Sequence, residues 1–199
     1  MKHVTICALL GYITIQGVLL GAEKQVSLSP EKTVQLKLDA AVAVLQDDGL
    51  DLKAKGDRIS EIISPLFDFP LMGKLALGRK HWPKFNKQQR AEYNELFTAH
   101  LKKAYRKKLM LYTDQEIVYK SAVTKAAKAD VLTELVSKEN QIEVLYRLRR
   151  IEGQWKIYDV KVQGVSLRKS YEAQFHDILS RGTPADLFAA LRDQKEEIE

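Results

Sequence analysis

The stretch Asn86–Leu111, NKQQRAEYNELFTAHLKKAYRKKLML, decides the fold class together with the residues after it. Asn86 with Gln89 three residues later has the form of a capping box, each side chain satisfying the other's backbone N–H. From there Tyr93, Leu96, Phe97, His100, Leu101, Ala104, Tyr105 and Leu109 recur at spacings of three and four. That is the period of one long helix with a single buried, largely aromatic face. After Thr113 the period changes to two. Ile142, Val144, Tyr146 and Leu148 alternate with Glu143, Arg147 and Arg149, and Val131, Thr133 and Leu135 do the same, as do Ile117 and Tyr119. From Trp155 onward two alternations fit: Trp155 with Ile157, or Tyr158 with Val160 and Val162. Ser137–Asn140 and Glu152–Gly153 supply turns, so four successive strands form an antiparallel meander.

Upstream, Ser29-Pro30 reads as N-cap and first helical residue, followed by Val34, Leu38, Ala41, Val42 and Leu45 at helical spacing until Asp47-Asp48-Gly49. A second helix is expected over Leu52–Ile63. A short third is expected over Pro70–Leu77, with Gly78 placed to stop it. Downstream, helices are expected over Ser166–Arg181 and Pro184–Glu196, with Thr183 as cap. Helices, then antiparallel strands, then helices give an α+β class. The expected architecture is a four-stranded twisted antiparallel sheet wrapped as a cone around the long helix, which crosses its concave face, with a helical lobe beside it. Such a cone has an open end and room for a cavity.

At 199 residues the chain fits one domain. Lys2 and His3 precede an uncharged run, Val4–Leu20, and Leu20-Gly21-Ala22 resembles a signal-peptidase site. Residues 1–22 are therefore expected to be a secretory signal and 23–199 a single domain, the alternative being an N-terminal anchor that holds a scaffold module at the inner membrane. The sole cysteine, Cys7, lies in this run, so no disulfide can staple the remainder. Without residues 1–22 there are 31 basic residues against 26 acidic ones, net +5, a balance that suits solubility and docking at anionic surfaces. Lys103, Arg106 and Lys107 share one face of the long helix, read first as a solvated face. The nearby aromatics fall on its apolar face and are not interleaved with the charges, which argues against nucleic acid as a partner.

No nucleophile–base pair, phosphate loop or metal-ligand spacing stands out. Asp68, between Phe67 and Phe69, is expected to cap the helix that starts at Pro70; as a general base it would need a partner such as Tyr105. Asp159 is expected to pair with an arginine such as Arg147 on the neighbouring strand. His81, His100 and His176 have no ligand spacing. Ser166 lacks the surroundings of a nucleophile elbow and reads as a helix cap.

The segments Phe67-Asp68, Met72, Leu77-Gly78, Trp82, Gln89, Phe97 and Tyr105, then Tyr146, Trp155, Tyr158-Asp159-Val160, Gly164-Val165-Ser166-Leu167, Tyr171 and Phe175, occur in a characteristic order. In these the chain resembles, from about Pro30 to Leu191, the MlaC-like family of periplasmic phospholipid-binding proteins of the Mla pathway, also called toluene-tolerance auxiliary proteins. The resemblance implies a cystatin-like, nuclear-transport-factor-like sheet with a helical lobe, no cofactor and no catalysis. It implies a periplasmic carrier exchanging phospholipid between an outer-membrane lipoprotein complex and an inner-membrane ABC transporter complex. A branch associated with hopanoids has similar motifs, and a small proton-transfer enzyme on the same fold is the other alternative.

A lipid carrier needs a lining about as apolar as a bilayer. Two acyl chains, on the order of 30 methylenes at ~0.8 kcal/mol each, already enjoy roughly 24 kcal/mol of burial in the membrane they leave. Under the resemblance, Phe69, Met72, Leu75, Phe97, Leu101, Tyr105, Tyr146, Val160 and Val165 are the candidate lining. Arg147 and Lys161 are the candidate contacts to headgroup or partner protein.

Overall fold

The computed structural model describes residues 28–110, 116–138 and 140–193; the expected signal segment, Thr113 and Glu196 lie outside them. Among these residues six α-helices and a six-stranded antiparallel sheet form one α+β unit. The helices are α1 (Pro30–Leu45), α2 (Leu52–Ile63), α3 (Phe69–His81), α4 (Lys87–Met110), α5 (Leu167–Arg181) and α6 (Pro184–Arg192). The strands are β1 (Glu116–Tyr119), β2 (Val123–Lys125), β3 (Lys128–Val136), β4 (Gln141–Ile151), β5 (Gln154–Val162) and β6 (Val165–Ser166).

The helix ends follow from local chemistry. Ser29 Oγ accepts from Lys32 N at 3.2 Å, and Asp51 Oδ1 accepts from Ala54 N at 2.7 Å. Before α4, Asn86 and Gln89 exchange reciprocal hydrogen bonds of 2.9 Å. From there α4 runs unbroken for 24 residues. Gly78 does interrupt α3: its φ of 68° and ψ of 173° break the helix, and the chain resumes one short turn to His81. Only glycine enters that region without strain.

The expected strands correspond to β1, β3, β4 and β5, neighbours in that order; β2 beside β3 and β6 beside β5 widen the sheet from the expected four strands to six. Both alternations in β5 are real in part, Tyr158 alone falling outside them: it faces Arg147 on the outer side of the sheet. The register slips between Arg147 and Leu148, so Tyr158 and Asp159 together oppose one residue of β4. Trp155 and Ile157 face inward before this bulge, Val160 and Val162 after it, and the bulge re-aims the strand between them.

Two cores result. One gathers Met72, Leu77, Phe85, Tyr93, Phe97, Tyr171, Phe175 and Leu187 from α3 to α6. Its rings interlock: Tyr93 and Phe97 stack at 5.6 Å between centroids, and Phe97 meets Phe175 edge-on at 5.6 Å. The other joins Val34 of α1 to the inner face of the sheet through Val131, Val144, Leu148, Trp155 and Ile157. Hydrogen bonds from Tyr119 Oη to Asp39 (2.6 Å) and from Ala122 N to Glu31 (2.8 Å) pin α1 to the sheet. The inner face of the sheet is thus covered by α1, with α3 and α5 against β5. The expectation that α4 crosses it is corrected, because the aromatic face of α4 is spent on α3, α5 and α6.

Candidate functional site

Between these cores the chain leaves an apolar cavity of about 420 Å³. Leu38, Ala41, Val42 and Leu45 of α1 and Ile59 and Ile63 of α2 form one wall. Leu135, Val144, Tyr146, Val160 and Val162 of the sheet form the opposite one, and Phe69, Met72 and Leu101 bound it on the helical side. The cavity exists because α4 meets the sheet only at a distance: its first half is locked into the aromatic core, and Leu101 looks across the gap toward the strands. Among the described lining residues there is no carboxylate and no histidine. Its polar side chains are Ser60 and Ser64, whose hydroxyls lie 3.5 Å apart, the Tyr146 phenol, and Lys102 and Arg106 of α4.

Of the residues named from sequence, Phe69, Met72, Leu101, Tyr146 and Val160 line this space. Leu75 is half-buried on α3 but lies outside the lining. Phe97 is 1 % exposed and sits one turn too early on α4, inside the ring cluster. Val165 follows the Gly164 turn and is 61 % exposed. The Tyr105 side chain lies outside the described residues. Arg147 and Lys161 alternate with the inward Tyr146, Val160 and Val162, so both stand on the outer face of the sheet and not at the cavity. Arg147 pairs there with Asp130 at 3.4 Å and lies over the Tyr158 ring. Periodicity alone marks the α1 and α2 lining and the two α4 cations only as helix faces, and gives no sign that they border a void.

The candidate carboxylates are committed to structure. Asp68 caps α3, accepting from Leu71 N at 3.1 Å, and is 8 % exposed. Its other oxygen accepts from Arg149 Nε at 2.6 Å, while its backbone N–H donates to Ile157 O, fastening the start of α3 to β5. Both oxygens are thus engaged, and Asp68 is not among the described lining of the cavity, where a proton-transfer base would have to stand. Asp159 does lie opposite Arg147 in register, yet it does not pair with it. The bulge turns it under the start of α5, where it accepts from Ser166 Oγ at 2.8 Å and from Arg168 N at 3.3 Å, with the Arg168 guanidinium 3.9 Å away. Ser166 in turn caps α5 through Lys169 N. His81 and His176 do meet, Nε2 to Nδ1 at 2.9 Å, between α3 and α5. Burial first, then the neighbouring His176, Lys84 and Lys80 charges, push the His81 pKa below its usual value. Among the described residues no group of three or more His, Cys, Asp or Glu is placed to hold a metal. No described helix is long and apolar enough to cross a membrane.

An apolar void with cations among its lining is the kind of site that takes an amphiphile. Comparison with known proteins places the chain in company of that kind. A solved structure of a phospholipid-binding protein from Ralstonia solanacearum, in complex with a phospholipid, superimposes with a TM-score of 0.74 at 25% sequence identity, covering 83% of this chain and 96% of that one. The toluene tolerance protein ttg2D of Pseudomonas putida is 28% identical over 127 residues, which is 63% of this chain and 59% of that relative's length. The MlaC protein family model matches residues 35–193, from the first turns of α1 to the end of α6, so the match takes in both walls of the cavity and the aromatic core beside it: the chain belongs to the MlaC family.

Proposed function

We propose that this chain is a carrier that holds the acyl chains of a phospholipid in the cavity between α1, α2 and the sheet. The observation that carries the reading is a void of about 420 Å³ with an aliphatic lining, set between two well-packed cores. An empty space of that kind costs stability in the absence of a ligand, because its walls lack contact partners on one side. A lipid tail supplies those contacts without asking for hydrogen bonds. The phospholipid bound by the Ralstonia relative supports the same cargo class.

On this reading residues 1–22 direct export to the periplasm and residues 23–199 work there. The lipid passes between an outer-membrane lipoprotein complex and an inner-membrane ABC transporter complex, with no chemical change. Phe69, Met72, Leu101, Tyr146 and Val160 contact the tails. Arg147 and Lys161, on the outer face of the sheet, belong to partner docking instead of the headgroup, and such exposed charges tune encounter rate more than affinity. The test is organic extraction of protein purified from a Gram-negative host. Roughly stoichiometric diacyl phospholipid is expected in the extract; a folded protein that is consistently lipid-free defeats the proposal.

A further inference from the structure

The aliphatic walls explain how tails are held but give no preference for the group attached to them. Lys102 and Arg106, one turn apart on α4, are the cations among the described lining. Both sit at the rim: Lys102 is exposed, with its ammonium 5.5 Å from the centroid of the Phe69 ring, and the Arg106 side chain is 36% exposed. No ion pair or hydrogen bond within the described structure engages the Lys102 ammonium.

Arg106 is held differently. It reaches across to α2, donating to Lys53 O at 2.7 Å and pairing with Asp57 at 2.8 Å. It can lie that close because position 56 is glycine: a Cβ there would fall 2.3 Å from Arg106 Nε. A glycine inside a helix costs about 1 kcal/mol relative to alanine, and here its absent side chain makes the berth for the guanidinium. Ser60, one turn on from Gly56, adds a hydroxyl to the same lining. Asp57 itself is not part of the lining; it stands behind the guanidinium as a resident counter-charge.

We infer that Lys102 and Arg106 form the phosphodiester subsite of the cavity, and that an arriving phosphodiester takes Arg106 over from Asp57. The inference rests on the carrier reading above and adds to it which atoms meet the headgroup. The physical reason is placement. A phosphodiester anion cannot follow its tails into an aliphatic space without a large desolvation cost, so it stops at the rim. A guanidinium and an ammonium there offer charge-assisted hydrogen bonds that a neutral headgroup cannot use equally well. Because the site is half-exposed, its effect is modest and salt-sensitive.

The test titrates lipid-stripped protein with lauroyl lysophosphatidylglycerol and, separately, monolauroylglycerol, which has the same chain and no phosphate, by calorimetry at low salt. Glycerol phosphate serves as the tail-free arm. The wild type is expected to bind the phosphodiester amphiphile roughly threefold to thirtyfold more tightly than the neutral one and to give no heat with glycerol phosphate. Lys102→Gln and Arg106→Gln are each expected to cut that preference by about threefold to tenfold. Asp57→Asn is expected to raise it by freeing the guanidinium, and Lys125→Gln, on the remote β2–β3 hairpin, to leave it alone. A wild type without the preference overturns the subsite, as does a preference that survives both α4 substitutions. Equal affinity for glycerol phosphate does so too, since the anion would then be held independently of the cavity. If neither amphiphile binds, the carrier reading itself falls, an outcome distinct from equal binding of both. Should Arg106→Gln fail to fold by circular dichroism, the opposite shifts expected of Lys102→Gln and Asp57→Asn decide the matter.

Discussion

Ala41→Phe separates a ligand cavity from an ordinary core. Ala41 is buried on the inner side of α1 and lines the cavity, so a phenyl ring at this position enters the void. A benzene ring fits an apolar cavity on the order of 150 Å³, so the new side chain takes roughly a third of the 420 Å³ available. Burying a phenylalanine is worth about 1.5–3 kcal/mol, and ordering its rotamers costs up to about 1 kcal/mol. The lipid-stripped variant should therefore gain about 1–2 kcal/mol, raising Tm by roughly 2–8 °C for a domain of this size. Ligand affinity should move the other way. Displacing three methylenes at ~0.8 kcal/mol each loses about 2.4 kcal/mol, or about fiftyfold in Kd. Differential scanning calorimetry of the stripped protein and lipid retention after extraction measure the two effects on one sample. A variant destabilised by about 1–3 kcal/mol, as overpacked cores are, would show that the void is filled by the protein itself. Unchanged lipid retention would place the lipid elsewhere.

Gly78→Ala forces a side chain into a backbone region reserved for glycine, φ 68° and ψ 173°, and against the Glu172 carboxylate; a loss of about 1–3 kcal/mol is expected in urea melts, and a neutral result would mean that α3 need not break there. Asp159→Leu strands the Ser166 hydroxyl and the Arg168 N–H beneath α5, with an expected cost of about 3–5 kcal/mol, whereas Asp159→Asn, which keeps an acceptor, should cost less. His81 and His100 are both held below the usual histidine pKa, each chiefly by burial. As pH falls through about 6.5 the unfolded chain takes up protons that the folded chain refuses, so stability is full above that pH and declines below it until the folded groups titrate. Urea midpoints at pH 7.5 and 5.5 should show the drop, and His81→Gln should shrink it; equal midpoints would refute the assignment.

The helices and the principal strands were legible because each repeats its own period over enough residues to stand out. β2 and β6 were not, being three and two residues long and therefore without a period. The ambiguity in β5 had a physical cause as well: the bulge shifts the phase, so Trp155 and Ile157 face inward on one side of it and Val160 and Val162 on the other. Side-chain partners were harder. Asp159 and Arg147 are opposite in register, but the bulge turns one of them under α5 while the other finds Asp130. The cavity was the least legible feature, since periodicity tells which face of a helix leaves water and not whether two such faces touch. Phe97 and Leu101 belong to the same stripe of α4 and are both buried, yet only Leu101 borders the void.

That difference between neighbouring turns of α4 is the organising feature of the molecule. Tyr93 and Phe97 bind the first half of the helix to α5 through interlocked rings, and Tyr93 Oη ties it to α3 by a hydrogen bond to Gly73 O at 3.1 Å. Gly73 lets the two helices approach, for a Cβ there would fall 2.8 Å from Asn94 Oδ1 and 3.1 Å from a Tyr93 ring carbon. Beyond Leu101, among the described side chains of α4, Arg106 meets α2 by resting on a glycine. A well-packed core resists volume change, whereas a contact made of a half-exposed ion pair is worth only about 0–1 kcal/mol and can be exchanged. The stable half thus fixes where α4 stands, and the weak half is where the cavity wall can yield to a ligand. α1 and α2, which carry one aliphatic wall of the cavity, stand outside the aromatic core: α1 packs on the sheet through Val34 and through the bonds of Asp39 and Glu31, and α2 meets α4 through Arg106. Admission of a lipid tail is therefore expected to displace α1 and α2 and to leave α3, α5 and α6 in place. Amide hydrogen exchange with and without lipid checks this: protection gained in α1 and α2 but not in α5 supports it, and uniform protection across all helices contradicts it.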